Sequence, residues 1–354
     1  MEPFTDAPNI HYREWMPRTD SRSSVPVASP PKRKPGRSRK ESSPQPADVS
    51  AASDSRSSVS QASVSRASVP PVIEHQPEVP KRKPGRPRKE LSAPSKAAPH
   101  RRSVHPLVLG IDMGGSGIKG APVDLDQGVL VVDRTRYNTP QPSTPAACTE
   151  IIAKLVADFD PMTAATGPVG ITFPGVVWDG TTLTAANVDH GWIGLDADAM
   201  LEERLKRKVA VLNDAQAAAL AEVHYGAGQG VDGMVLMLTF GTGIGSGLVY
   251  RGVALPGVEL GHVRMHGRDA EQLAAASVKD NKKLSWKAWS ERVNDYLARI
   301  ELMLWPELII IGGGVSEEPE KFLSRLKTRT PVVPAKLGNS AGIVGAAIAA
   351  SRKI

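Results

Sequence analysis

The sequence predicts an α/β body of two similar lobes with a cleft between them, preceded by a long polar segment. Three observations carry this reading. From Leu107 onward, short apolar β runs alternate with amphipathic helices, the pattern of sheets covered by helices. A strand, a glycine turn and a returning strand open each half, at 107–125 and again at 234–250, so the grammar is internally repeated. Charge and composition also break sharply near residue 106.

The elements follow in order. LVLGIDM (107–113) is a strand, GGSG a tight turn, IKGAPVDL (118–125) the second strand and GVLVVDRTRY (128–137) a third. Residues 145–159 place Ala147, Ile151, Leu155 and Phe159 at helical spacing, and PVGITF (168–173) reads as a buried strand. TLTAANVDH, a helix over 196–207 and the strand KVAVLND (208–214) complete the first lobe. The second lobe has a helix at 215–225, strands at 234–240 and 246–250, and a long helix at 285–304. The strand ELIIIGGG (307–314), a helix over 317–328, a strand at PVVP and a small-residue helix at 341–350 close it. The expected domains are thus a tail at 1–106, a first lobe at 107–213 and a second at 214–354, whose last helix packs back on the first lobe.

The tail and the body differ in kind. Residues 1–106 hold 20 of the 44 Lys+Arg, 10 of the 37 Asp+Glu and 18 of the 30 prolines, which leaves the body slightly acidic and the tail strongly basic. A segment so poor in apolar runs buries too little surface to offset its ordering entropy and is expected to be disordered. A single cysteine, Cys148, excludes an internal disulfide and a Cys-based metal cluster and suits a reducing compartment. No apolar run approaches the roughly 18 to 20 residues of a membrane span, and MEPFTDAPNIHYREW lacks a signal-peptide core. A cytoplasmic protein is expected, with a homodimer as its assembly.

Within the tail, PKRKPGRSRKE (31–41) and PKRKPGRPRKE (80–90) differ only at Ser38 against Pro87. The blocks resemble the AT-hook, a Gly-Arg-Pro element that lies in the minor groove of A·T-rich DNA. Arg37, Arg39, Arg86 and Arg88 are its candidate contacts, because arginine suits a narrow groove of negative potential. Pro35 and Pro84 stand where that element has arginine. The alternative reading is a polybasic tail that attracts any polyanion.

The chemistry-bearing motifs lie in the body. In GIDMGGSGIKG (110–120), Gly114, Gly115 and Ser116 form a turn able to present amides to a phosphate, with Lys119 nearby. Asp112 at the strand end is placed to hold Mg2+ against phosphates. TFGTGIGSGL (239–248) repeats the device with Gly241, Thr242 and Gly243, and IIIGGGVS supplies Gly313 and Gly314. In LNDAQAAALAE, Asp214 opens a helix behind a β run, where phosphoryl transfer needs a carboxylate on the acceptor hydroxyl. Asn and Asp are both favoured helix caps, so a capping role for Asn213 or Asp214 is the alternative reading and the motif is ambiguous in isolation. Asn187, Glu259 and His262 combine amide, carboxylate and imidazole, a set suited to sugar hydroxyls.

Taken in order, GIDMGGSGIKG, TFPGVV, TAANVDHGWIG, LNDAQAAALAE, TFGTGIGSGL, ELGH, WSERVNDYL, LIIIGGGVS and NSAGIVGAA resemble the ROK sugar kinases of the actin-like (ribonuclease H-like) ATPase superfamily. The likeness covers 107–350 and is greatest to the polyphosphate glucokinases of actinobacterial type. The general family pattern carries a Cys-rich zinc motif after its ELGH-like histidine; here HVRMHGRDAEQLAAASVKD has no cysteine. The resemblance implies transfer of a phosphoryl group from polyphosphate, and from ATP, to the 6-hydroxyl of glucose with Mg2+. It makes Asp214 the base and Asn187, Glu259 and His262 glucose ligands. An ATP-only ROK glucokinase shares these motifs, and a sugar-responsive DNA-binding ROK regulator is the alternative of another class.

Overall fold

The computed structural model describes residues 106–164 and 166–352. The basic blocks at 31–41 and 80–90, with Arg37, Arg39, Arg86 and Arg88, lie outside the described residues.

The first half runs β1 (Val108–Met113), β2 (Gly117–Asp124), β3 (Val129–Leu130), β4 (Thr135–Asn138), α1 (Pro145–Phe159) and β5 (Val169–Phe173). It continues with β6 (Val177–Trp178), β7 (Thr181–Thr182), β8 (Leu195–Asp196), α2 (Ala197–Leu205) and β9 (Val209–Asn213). In the main sheet the order is β3-β2-β1-β5-β9, with β4 also on β2. The β1–β2 pair is antiparallel, while β1–β5 and β5–β9 are parallel. The single strand expected over 128–137 is split into β3 and β4, both paired to β2. Pro122 faces the gap; without an N–H it cannot continue the ladder there.

The second half runs α3 (Asp214–Tyr225), β10 (Met234–Phe240), β11 (Ile244–Tyr250), β12 (Val253–Leu255), β13 (Arg264–Met265) and β14 (Arg268–Asp269). Then come α4 (Glu271–Ala274), α5 (Ala276–Asn281), α6 (Trp286–Met303), β15 (Leu308–Gly312), β16 (Val332–Pro334) and α7 (Ala341–Arg352). Its sheet has the order β12-β11-β10-β15-β16, again an antiparallel hairpin followed by parallel strands. The repeated grammar of the sequence is thus a repeated topology. One expected element differs: 317–328 is a chain of short 3-10 turns, not an α-helix. Pro319 disfavours the helical region for Glu318, whose ψ of 51° leaves it, and the buried Phe322 anchors the segment instead.

The halves meet through two helices of small residues. Helix α7 lies on β1 and β5 of the first sheet, α3 lies on β10 and β11 of the second, and α3 and α7 pack on each other. Backbone approaches backbone along these contacts. A Cβ on Gly345 would stand 1.8 Å from the Ala217 carbonyl oxygen, and one on Gly170 would stand 1.8 Å from that of Ala346. Those separations leave no room for a methyl group, so both interfaces need glycine. Among the described residues no helix is long and apolar enough to cross a membrane.

Gly345→Ala therefore forces α7 away from α3 and is expected to lower stability by about 3 kcal/mol, the upper range of overpacking. Chemical denaturation checks it; a loss of a few tenths would show that the helices separate freely.

Candidate functional site

The two central helices start at the same place. Asp214 and Ala215 of α3, with Ala341 and Gly342 of α7, line a cavity of about 320 Å3 whose wall also holds Asp112, Lys119, Gly313 and Gly314. Two helix N-termini carry partial positive charge from their unpaired N–H groups. Lys119 adds a full charge, so the cavity suits an anion such as a phosphate chain.

Its carboxylates are placed by the backbone. Register sets Asp112 beside Lys119 on β2 and Thr172 on β5. Its Oδ2 lies 2.9 Å from Lys119 Nζ, and its Oδ1 accepts the Thr172 hydroxyl at 2.7 Å. Asn213 caps α3 by accepting the Gln216 amide at 3.0 Å, and its side-chain amide donates to the Gly175 carbonyl. That frees Asp214 from capping. Its Oδ1 accepts the Ala215 amide at 2.7 Å, and the residue lines the cavity, open to water yet closely surrounded by protein. Burial raises its pKa above the ordinary value, opposed by the Ala215 amide and assisted by the negative charge of Asp112.

The glycine turns divide. In the first, the Gly114 amide donates to the Gly117 carbonyl at 3.0 Å. A Cβ on Gly115 would lie 2.7 Å from the Asn187 carbonyl oxygen, so this turn and Asn187 are packed together. Asn187 has φ of 61°, a left-handed conformation that asparagine tolerates. Gly114, Gly115 and Ser116 do not line the cavity itself. Gly241 and Thr242 line a neighbouring cavity of about 400 Å3, which Gly314 also borders and which has the Trp286 ring in its wall.

Around Asp214 the polar groups converge electrostatically. Burial raises the Glu259 pKa, and the groups close enough to modulate it are His262, Asp214 and Glu271. His262 Nδ1 lies 3.2 Å from Asp269 Oδ2, and Arg264 donates to the other oxygen of that carboxylate at 2.6 Å. The hydrogen bond from Arg264 chiefly holds Asp269 below the ordinary carboxylate range.

Three further residues that the motifs did not single out, Glu271, Glu222 and Thr172, build the site. Glu271 Oε2 accepts the Ile244 amide at 3.3 Å and fills the space where a Cβ on Gly243 would stand. Glu222, fully buried, accepts the amides of Ala227, Lys336 and Leu337 at 2.7, 2.8 and 2.7 Å. It thereby ties α3 to the segment ahead of α7 that borders the cavity. Thr172 orients Asp112. Only Glu222 had a legible signal, an acid inside an otherwise alanine-rich apolar helix.

Residues 108–275 match the model of the ROK family. Polyphosphate glucokinase of Mycobacterium tuberculosis (strain CDC 1551 / Oshkosh) is 50% identical over 241 residues, which span 68% of this chain and 89% of that protein. The chain belongs to the ROK family. Among solved ROK-like structures, the inorganic polyphosphate/ATP-glucomannokinase of Arthrobacter sp. strain KM aligns with a TM-score of 0.66 at 47% identity, covering 71% of this chain and all of that one. A ROK family glucokinase from Streptomyces griseus, in complex with glucose and AMPPNP, aligns with a TM-score of 0.59 at 26% identity, covering 70% of this chain and 99% of that chain. The ROK assignment fixes the actin-like sugar kinase fold expected from the motifs.

Because the charge of Asp112 raises the Asp214 pKa, Asp112→Asn is expected to move the Asp214 titration toward lower pH in the absence of divalent ions. Carboxyl carbon NMR shifts read this directly; an unchanged or higher midpoint would uncouple the two groups.

Proposed function

We propose that this ROK protein is a glucokinase that transfers the terminal phosphoryl group of inorganic polyphosphate, and of ATP, to the 6-hydroxyl of glucose. The observation that carries the reading is Asp214 in the wall of a cavity flanked by two helix N-termini and Lys119, in a body half identical to a polyphosphate glucokinase. Asn187, Glu259 and His262 hold the sugar, each through hydrogen bonds that a hydroxyl can both give and receive. The Asp214 carboxylate accepts the proton of the 6-hydroxyl as its oxygen bonds to phosphorus and the bond to the rest of the donor breaks. Lys119 and the amides of Gly313 and Gly314 face the phosphates, the turn of Gly114, Gly115 and Ser116 supports Asn187 from outside the cavity, and Gly241 and Thr242 border the cavity suited to a nucleotide, with Gly243 packed on Glu271 beside them.

Mg2+ fits this donor set. Among the described residues no group of three or more His, Cys, Asp or Glu forms a metal cage, and Mg2+ in phosphoryl-transfer sites characteristically takes one or two carboxylates plus phosphate oxygens. Asp112 is the carboxylate that would hold it, and the bound ion would neutralise charge on the phosphates.

The tail is assigned to linear polyanions. Two basic blocks on one chain gain from effective concentration when both engage the same polyanion, and affinity should fall steeply with salt as counterions are released. Removal of residues 1–104 should weaken binding of long polyphosphate and of DNA while sparing turnover on ATP; equal binding by the truncated protein would end this assignment. A preference for A·T-rich duplex lost in Arg86→Ala but kept in Lys89→Ala would mark minor-groove entry.

The decisive assay is glucose 6-phosphate formation with polyphosphate or ATP as sole donor. Both donors should support it, and kcat/KM should fall with decreasing pH through a midpoint above the ordinary carboxylate range, because Asp214 acts ionised. Asp214→Asn should lower kcat by about 10²–10⁴-fold with the fold retained. Turnover on ATP alone would make the protein an ATP-only glucokinase; near-normal turnover by folded Asp214→Asn would remove Asp214 from the chemistry.

A further inference from the structure

The first sheet carries a row of charge that the chemistry at Asp214 does not consume. Register places Asp112 of β1 opposite Lys119 of β2, and Lys119 opposite Arg136 of β4. Directly opposed residues of antiparallel neighbours project from one face with Cβ atoms about 5 Å apart. The three side chains therefore stand in line from the cavity to the edge of the sheet.

Their charges do not cancel. Asp112 is matched by Lys119, which leaves Arg136 with no carboxylate partner among the described residues. Its guanidinium instead donates to the Ser116 carbonyl at 2.9 Å and to the Asn138 side chain at 3.2 Å, flat over the first glycine turn. Arg134, two residues away, donates to the carbonyl of Asn339 at 3.0 Å, and Asn339 lines the cavity. It too lacks a carboxylate among the described residues. Both guanidinium groups are exposed, and each braces a segment at the cavity mouth through a neutral carbonyl. Lys119 is compensated by Asp112, so the row ends on the positive charge of Arg136, which an anion lying across it would offset.

We propose that Arg134 and Arg136 form an exit track for inorganic polyphosphate, gripping the part of the chain that extends beyond the phosphates held in the cavity. The proposal rests on the polyphosphate reading above. Guanidinium groups suit a chain of phosphates because each can donate two parallel hydrogen bonds to successive oxygens. A nucleotide ends its phosphates after three and continues as ribose and base, for which the Trp286 cavity on the Gly314 side is the better fit. The two donors thus share the reacting end and diverge behind it.

The test is steady-state kinetics of the full chain at saturating glucose, with ATP and with polyphosphates of increasing length. Arg134→Ala and Arg136→Ala should each raise KM for long polyphosphate by about fivefold, the loss of one screened charge-assisted contact, and raise KM for ATP far less. The discrimination should grow with chain length and shrink with added salt. Arg134→Gln, which alters only one exposed contact to a loop carbonyl, keeps the test available should Arg136→Ala disturb the glycine turn. Equal KM changes for both donors, or none for either, would reduce these residues to braces of the cavity wall and overturn the track alone. An unaltered protein that forms no glucose 6-phosphate from any polyphosphate would overturn the track together with the donor reading.

Discussion

Everything in the body depends on how closely α7 can approach α3. Gly345 against the Ala217 carbonyl, and Gly110 and Gly170 of the first sheet against the carbonyls of Ile343 and Ala346, bring backbones together where a methyl group would not fit. That approach brings the N-termini of two helices from different halves to one cavity. The last helix in the chain thereby completes a site begun by the first strand. Catalysis of phosphoryl transfer is mostly positioning and electrostatics, and here the positioning is set by a packing constraint between helices.

The cavity balances opposed charges. Two helix N-termini and Lys119 bring positive charge to it, and Asp112 and Asp214 bring negative charge, which in the proposed reaction a base requires and a phosphate resists. Lys119 holds Asp112 in an ion pair, and the Ala215 amide steadies the ionised form of Asp214 against its burial. Glu222 supports the same balance from below. Its three backbone hydrogen bonds tie α3 to the loop before α7, so the two positive helix ends are held in one frame.

Much of this was legible in the sequence because it is local. Apolar β runs, glycine turns and the Asn-Asp helix start report on neighbouring residues, and the repeated hairpins and the helix that opens at Asp214 followed from them. The break between β3 and β4 depended on Pro122 in the partner strand, which periodicity along 128–137 cannot register. The helix expected over 317–328 failed at Pro319, a local signal outweighed by the amphipathic pattern around it. Glu271, Thr172 and Asp269 were hidden for a different reason: each acts through partners brought near by tertiary packing. The opposition of Lys119 and Arg136 likewise needs strand register, and no spacing within either strand states it.

As the proposed base, Asp214 must face the 6-hydroxyl of glucose within the phosphate cavity. A crystal structure of the Asp214→Asn protein with glucose and a non-hydrolysable ATP analogue tests it most directly. The 6-hydroxyl should lie within hydrogen-bonding distance of residue 214, with the terminal phosphate between Lys119 and the N-termini of α3 and α7. Glucose bound with its 6-hydroxyl turned away from residue 214, or a terminal phosphate outside that cavity, would contradict it.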